Sequence, residues 1–325
     1  MKHLIKSYLP EFTQSILFPI KKVKYETINQ KSSTYLIGKN NTYLDESKLL
    51  GSLCLVGDEG VGKTTFATNL VIQHVLKGKG VFFTDLFGKK DTINKVKHAI
   101  KLSNRHKDVI EIDIAVDRST DNGKKEFLRR ISELEKMDWR TIISKKKIVL
   151  VTGNLKDTEY SPKFIHYLQE IFEDLTYDLE QLFTVDHLKN KDLFLIHLDE
   201  AEIYIQSNNR LLSLINQAKS HNLCVICSFK VLTPYYTHIY NIPIYNEGIK
   251  DLFKSSNLIY FKTTDYYTLE FLSKNLNSKA FDIIRKLHIG EYLFHVHFFT
   301  TKVKRHIELI NTNTYSKKEE TFFYV

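Results

Sequence analysis

Gly57-Asp58-Glu59-Gly60-Val61-Gly62-Lys63-Thr64 has the spacing G-x-x-x-x-G-K-[ST] and is followed by Thr65. This pattern turns backbone N–H groups toward a phosphate chain. It brings the lysine ammonium to the β- and γ-phosphates and offers the threonine hydroxyl to Mg²⁺. A second constellation, Asp199-Glu200, closes the apolar run Leu193-Phe194-Leu195-Ile196-His197-Leu198. Two carboxylates at the tip of a buried strand suit the same chemistry. Asp199 would hold Mg²⁺ through water, and Glu200 would orient and deprotonate an attacking water. Lys230, one residue beyond the run 223–229, can place a point charge beside a γ-phosphate and report its presence; a surface lysine is the competing reading. The implied chemistry is binding and hydrolysis of a nucleoside triphosphate. No N-K-x-D base-recognition motif stands in a suitable place, so ATP with Mg²⁺ is the expected ligand. The expected nucleotide-binding set is Gly57, Asp58, Glu59, Gly60, Val61, Gly62, Lys63, Thr64 and Thr65, with Thr64 and Asp199 on the metal and Lys63, Glu200 and Lys230 in catalysis. Asp58 and Glu59 put negative charge beside phosphates, and nothing in the sequence accounts for it.

The elements around these residues are legible from periodicity. Ser52-Leu53-Cys54-Leu55-Val56 reads as a buried strand entering the loop, and 64–77 as a helix leaving it, with Phe66, Ala67, Leu70, Val71 and Val75 at helical spacing. That helix would add its N-terminal partial charge to the site. Gly78-Lys79-Gly80 supplies a C-terminal stop, followed by a strand at 81–85 and a basic amphipathic helix at 92–104. Strands are expected at 108–114, 148–151, 193–198 and 223–229, and helices within 161–183 and at 210–221. A charged, helical excursion is expected at 117–147. Alternating strands and helices predict an α/β fold with a mostly parallel sheet covered on both faces. The expected organisation is a lead-in over 1–50, partly β, then one nucleotide-binding domain over 51–325.

The chain has 325 residues and is 42% hydrophobic, enough for one large α/β domain or a core with a small appendage. No apolar run approaches the ~20 residues of a membrane-spanning helix; the longest, 15–20 and 193–198, have strand length. The N-terminus lacks the pattern of a signal peptide. Three cysteines suit a reducing cytoplasm. Cys224 and Cys227 form a nominal C-x-x-C inside an apolar strand, without a second ligand pair, which argues against metal or redox chemistry.

The net charge is +9, from 47 basic and 38 acidic residues. The basic residues bunch at 89–90, 95–107, 124–130, 145–147 and 302–305. A single run is ordinarily a solvated face. Several such runs around one nucleotide-dependent core point to a polyanion, with DNA as the expected partner.

The order of segments resembles the FtsK–HerA superfamily of ring-forming DNA-pumping ATPases, and within it the coupling proteins of conjugative type IV secretion. The resemblance starts at Tyr35-Leu36-Ile37-Gly38 and Leu44-Asp45. It runs through Gln73 to Val81, Ile148-Val149-Leu150-Val151, Asp199-Glu200-Ala201, Leu214 to Lys219 and Ser228-Phe229-Lys230. Ser256 to Lys262, Thr268 to Ser273 and Gly290-Glu291-Tyr292-Leu293-Phe294 resemble that family's closing strand, helix and hairpin.

The resemblance implies a RecA-like P-loop core with a C-terminal hairpin, a hexameric ring, DNA in the central channel and ATP sites between subunits. By motif position Lys63, Thr64, Asp199 and Glu200 take the roles already given. Three departures stand out: the family usually has Gln where Lys230 stands, the coupling proteins usually carry N-terminal membrane helices of which this sequence shows no sign, and their all-α lid is reduced here to the short stretch 117–147. A ring ATPase also needs a positive group supplied in trans to the γ-phosphate. Arg210, Arg118 and Arg285 are candidates, and Arg210 is favoured because it follows Asp199-Glu200 in the next helix. His295 and His297 share one strand face without a third ligand, which fits packing better than metal binding.

Two function classes follow. One is a cytoplasmic, ATP-driven DNA motor, alone or peripheral to a membrane complex, that serves a mobile element or a secretion-type system. The other is a nucleotide-gated clamp or scaffold that recruits a relaxase, nuclease or secreted partner without translocating anything.

Overall fold

The computed structural model describes residues 33–38, 42–85, 90–115, 120–153, 174, 177, 192–201, 209–230, 252, 256–275, 278–289, 291–296 and 306–311. The apolar run 15–20 and nearly all of the helical segment expected within 161–183 lie outside the described residues.

Strands β1 (Thr34–Gly38) and β2 (Thr42–Asp45) form a small antiparallel pair. The main sheet is built from β3 (Gly51–Val56), β4 (Val81–Asp85), β5 (Val109–Asp113), β6 (Ile148–Thr152), β7 (Phe194–Leu198), β8 (Leu223–Phe229), β9 (Asn257–Phe261), β10 (Glu291–Val296) and β11 (His306–Asn311). Their order is β11-β10-β9-β3-β8-β7-β4-β6-β5. Every pairing from β9 to β5 is parallel, while β10 runs antiparallel to both β9 and β11. The hairpin expected at 290–294 is therefore the β10–β11 pair, closing one edge of the sheet.

The central strands are apolar on both faces because both faces are covered. β3, β4, β7 and β8 are buried along their whole length, as expected of parallel strands between two helix layers. Period-two alternation divides β3 between the layers. Leu53 and Leu55 join one apolar cluster with Phe66, Leu70 and Val71 of helix α1 (Lys63–Leu76) and Ile93, Val96 and Ile100 of α2 (Lys90–Leu102). Cys54 and Val56 face the other cluster. It takes in Phe127 and Ile131 of α3 (Asp121–Glu135), Trp139 of α4 (Trp139–Ser144), Leu214 of α5 (Asn209–Gln217), Phe271 of α6 (Tyr266–Asn275) and Ile284 of α7 (Ser278–Lys286). This is the α/β fold expected from the sequence, with α3 and α4 forming a short helical insertion between β5 and β6. Helix α2 starts two residues earlier than its periodicity suggests and α5 stops four residues sooner, its last expected positions forming a turn.

The lead-in pair is fastened to α1 by buried polar bonds. The Gln73 side chain accepts from Leu36 N at 2.8 Å and donates to Leu36 O at 2.9 Å. The Tyr35 hydroxyl meets His74 Nδ1 at 2.7 Å, and the Tyr292 hydroxyl of β10 donates to Ile37 O. Strand β1, α1 and the hairpin thus hold one another through side chains that the apolar periodicity does not reveal.

Candidate active site

Sheet order brings the chemistry-bearing residues to one end of the sheet. β8 lies between β3 and β7, and its register pairs Leu55 with Ser228 and Cys227 with Leu198. The exits of the three strands are therefore level. Gly57 N donates to Phe229 O at 3.3 Å, and Ala201 N donates to Ser228 O at 2.8 Å. The loop after β3, the tip of β8 and Asp199-Glu200 meet around a cleft of about 340 Å³.

From the phosphate-loop motif, Glu59, Gly60, Gly62, Lys63, Thr64 and Thr65 line this cleft. Gly60 (φ 75°) and Gly62 (φ 109°) adopt left-handed conformations that a residue with a Cβ would resist. They deliver the chain into α1 so that the helix's first N–H groups face the cleft. Lys63 is buried, and its ammonium donates at 2.6 Å to each of the Gly57 and Asp58 carbonyls. Gly57 is required by close packing: a Cβ there would lie 2.8 Å from Phe261 Cβ and 2.9 Å from Lys262 O.

Three residues expected to bind nucleotide are placed otherwise. Val61 is buried in the apolar cluster under α1, and Gly57 serves the loop through its backbone. Asp58 turns its side chain toward the segment after β9. One carboxylate oxygen accepts from Thr263 Oγ1 at 2.9 Å, and the other accepts from Thr264 N at 2.8 Å and Thr264 Oγ1 at 2.7 Å. Its negative charge is absorbed there, away from the cleft. Glu59 does line the cleft, and its carboxylate accepts from Lys230 Nζ at 2.8 Å. The two acidic residues that had no rationale in the sequence are thus a loop anchor and an ion-pair partner.

Asp199 is 5% exposed, and Glu200 is half-buried beside it with φ 51°. A non-glycine residue in this region is uncommon, and such conformations cluster where a side chain must be aimed. Thr64 and Asp199 line the same cleft. One hydroxyl and one carboxylate form a hard-oxygen donor set that suits Mg²⁺, which completes its shell with phosphate oxygens and water.

Several lining residues escaped the sequence analysis. Ser228 is 1% exposed, and its hydroxyl has no hydrogen-bond partner among the described residues. Its signal was a single hydroxyl at the tip of the otherwise apolar Leu223-Cys224-Val225-Ile226-Cys227-Ser228-Phe229. Thr68 and Asn69 of α1 and Asp91, Thr92 and Lys95 of α2 also line the cleft. The α2 residues belong to an ordinary amphipathic pattern, and only the sheet order brings them to the site.

The remaining candidates fall elsewhere. Arg210 lies in the first turn of α5, its side chain outside the described residues, as is Arg118. Arg285 is exposed on α7, its guanidinium 5.8 Å from the Phe281 ring centre. His295 belongs to β10, paired with Ile307 and Leu258, and His297 lies outside the described residues. Cys224 and Cys227 face opposite apolar clusters, so their side chains cannot share a ligand. The basic run on α3 is largely neutralised in place: Arg129 pairs with Glu126 and Glu133, and Arg130 with Glu126. No described helix is long and apolar enough to cross a membrane.

No protein-family model matches the chain, and no curated protein matches it. Solved structures do. VirB4 of Thermoanaerobacter pseudethanolicus superposes with a TM-score of 0.53 at 11% identity, covering 86% of this chain and 96% of that one. The plasmid coupling protein TrwB, in complex with the non-hydrolysable ATP analogue ADPNP, gives a TM-score of 0.52 at 12% identity, covering 87% and 89%. The genome packaging NTPase B204 from Sulfolobus turreted icosahedral virus 2, in complex with AMPPCP, gives 0.45 at 14%, covering 81% and 98%. The likeness to VirB4 and TrwB is one of fold, and it agrees with the RecA-like P-loop architecture expected from the motif order.

Proposed function

We propose that this chain is an ATP-hydrolysing, DNA-binding motor that works as a homo-oligomeric, hexameric ring in a conjugative, secretion-type or related DNA-transport system. The observation that carries this reading is the convergence of Lys63, Thr64, Asp199, Glu200 and Ser228 on one cleft. In it Lys63 and the α1 N-terminus bind the β- and γ-phosphates, and Thr64 and Asp199 hold Mg²⁺, which neutralises charge on the phosphates. Glu200, aimed by its left-handed backbone, orients a water for in-line attack and accepts its proton. Ser228, rather than Lys230, is the buried polar group at the β8 tip that contacts the terminal phosphate or the attacking water. Arg210 remains the candidate trans-acting cation. TrwB, a plasmid coupling protein crystallised with an ATP analogue, shares the fold, and the chain's net charge of +9 suits a polyanionic partner.

The deciding measurement is ATP turnover by the full chain with and without DNA, for the parent and Glu200→Gln. We expect DNA-stimulated turnover in the parent and a loss of at least ~100-fold in the variant with nucleotide binding retained. Sedimentation with a non-hydrolysable nucleotide tests the ring; a strict monomer under all conditions would count against it. The Glu59–Lys230 pair favours a second reading, because it occupies the residue expected to report the γ-phosphate. Tight nucleotide binding without turnover, with or without DNA, would select that nucleotide-gated clamp or scaffold for a relaxase, nuclease or secreted partner.

A further inference from the structure

Helix α2 carries none of the phosphate-loop or strand-tip residues, yet Asp91, Thr92 and Lys95 of its first two turns line the cleft. Topology puts them there. Helix α2 connects β4 to β5, and both strands lie on the β7 side of β3, away from β9. Its Ile93, Val96 and Ile100 are buried in the cluster that holds α1, which fixes the rotation of the helix. Asp91 and Lys95, one helical turn apart, then open onto the cleft beside Thr64, Thr68 and Asp199.

A phosphate chain lying on this loop has a defined direction. On the phosphate-loop reading Lys63 would meet its β–γ end, with Asp199 and Glu200 after the end of β7 lining the same cleft. The β7 flank is therefore the γ-phosphate flank, and α2 borders it. Lys95 Nζ lies 3.1 Å from Asp91 Oδ2, with the Lys95 side chain 32% exposed and Asp91 75% exposed. A pair with one partner this open to water is weakly held and readily exchanged for a stronger anion. The buried Ser228 hydroxyl, without a partner among the described residues, independently marks the same cleft as built for a ligand.

We propose that Lys95 is a second cation for the terminal phosphate, supplied in cis, which leaves Asp91 for the γ-phosphoryl oxygens and lets the cleft distinguish a triphosphate from a diphosphate without a residue from another subunit. The inference rests on the reading of this cleft as a nucleoside triphosphate site. A diphosphate ends short of Lys95, so the lysine contributes to triphosphate binding alone. Asp91 tunes the contact by competing for the ammonium.

The test compares the affinities of full-length parent, Lys95→Met, Lys95→Arg and Asp91→Asn for the Mg²⁺ complexes of β,γ-imido-ATP and ADP. Losing one charge-assisted contact should weaken the triphosphate analogue roughly tenfold in Lys95→Met and change ADP less than about twofold. Lys95→Arg should recover most of the loss, and Asp91→Asn should bind the analogue a few-fold more tightly without changing ADP. Equal effects on both nucleotides, no effect on either, or failure of arginine to rescue would overturn the proposal. A parent chain that binds neither nucleotide would instead overturn the reading of the cleft, and the proposal with it.

Discussion

Lys230 Nζ donates to Glu59 Oε2 at 2.8 Å, joining the tip of β8 to the phosphate loop across the mouth of the cleft. Both side chains are well exposed, at 49% and 76%, so the pair is a device for placing charge more than a source of stability. Removing either partner by Glu59→Gln or Lys230→Met should change unfolding free energy by less than ~1 kcal/mol.

Affinity should respond more than stability. In Glu59→Gln the ion pair loses its carboxylate and negative charge leaves the mouth of the cleft, so triphosphate affinity at low salt should rise by about two- to fivefold and the gain should fade as salt screens it. Lys230→Met should abolish that gain in the double variant. Calorimetric titration at two salt concentrations reads both effects. Weaker binding in Glu59→Gln would mean that the carboxylate itself holds the ligand or its metal.

Ser228→Ala separates a ligand contact from a packing role. A buried hydroxyl without a partner costs about 1–3 kcal/mol, so its removal should leave the nucleotide-free melting temperature unchanged or higher. Turnover should nevertheless fall about tenfold or more through the lost contact. A destabilised variant with normal turnover would assign the hydroxyl to the fold.

Acid sensitivity should centre on His74. Burial, reinforced by the nearby Lys79 charge, holds its pKa down to about 3 from an ordinary 6.5. Between these values the unfolded chain takes up a proton that the folded chain refuses. The contribution of neutral His74 is complete above about pH 6.5 and is lost as pH falls toward 3, at up to ~1.4 kcal/mol per pH unit. Denaturant melts of the parent and His74→Gln between about pH 7 and 5 isolate this slope from that of the carboxylates. Identical slopes in the two proteins would show that His74 is not the cause.

Local patterns in the sequence made much of the candidate site legible. The phosphate loop is contiguous, and Asp199-Glu200 ends an unmistakable apolar run, so Lys63, Thr64, Asp199 and Glu200 were identifiable before any fold. The strand–helix alternation likewise predicted a parallel sheet with two covered faces. What stayed hidden depends on pairing between distant segments. Asp58 is explained only by Thr263 and Thr264, and Glu59 only by Lys230, 171 positions away. Lys95 is indistinguishable in sequence from any lysine on an amphipathic helix until α2 is set beside α1. Ser228 is a single hydroxyl at the end of an apolar run, a pattern shared by many strand ends, and only its burial without a partner among the described residues sets it apart from the nearby charge of Lys230.

The thiols have a practical consequence. The chain's three cysteines, Cys54, Cys224 and Cys227, are all buried thiols, and burial pushes the Cys54 thiol up to about 12. A thiolate is the reactive form, so the buried thiols should react slowly with maleimides and disulfide reagents, which thiol titration of the native protein checks. One cysteine placed on the surface, at exposed Leu128 for example, would be the most accessible labelling handle on the molecule. Neighbouring copies in an assembly can then be mapped by cross-linking without first removing the native cysteines.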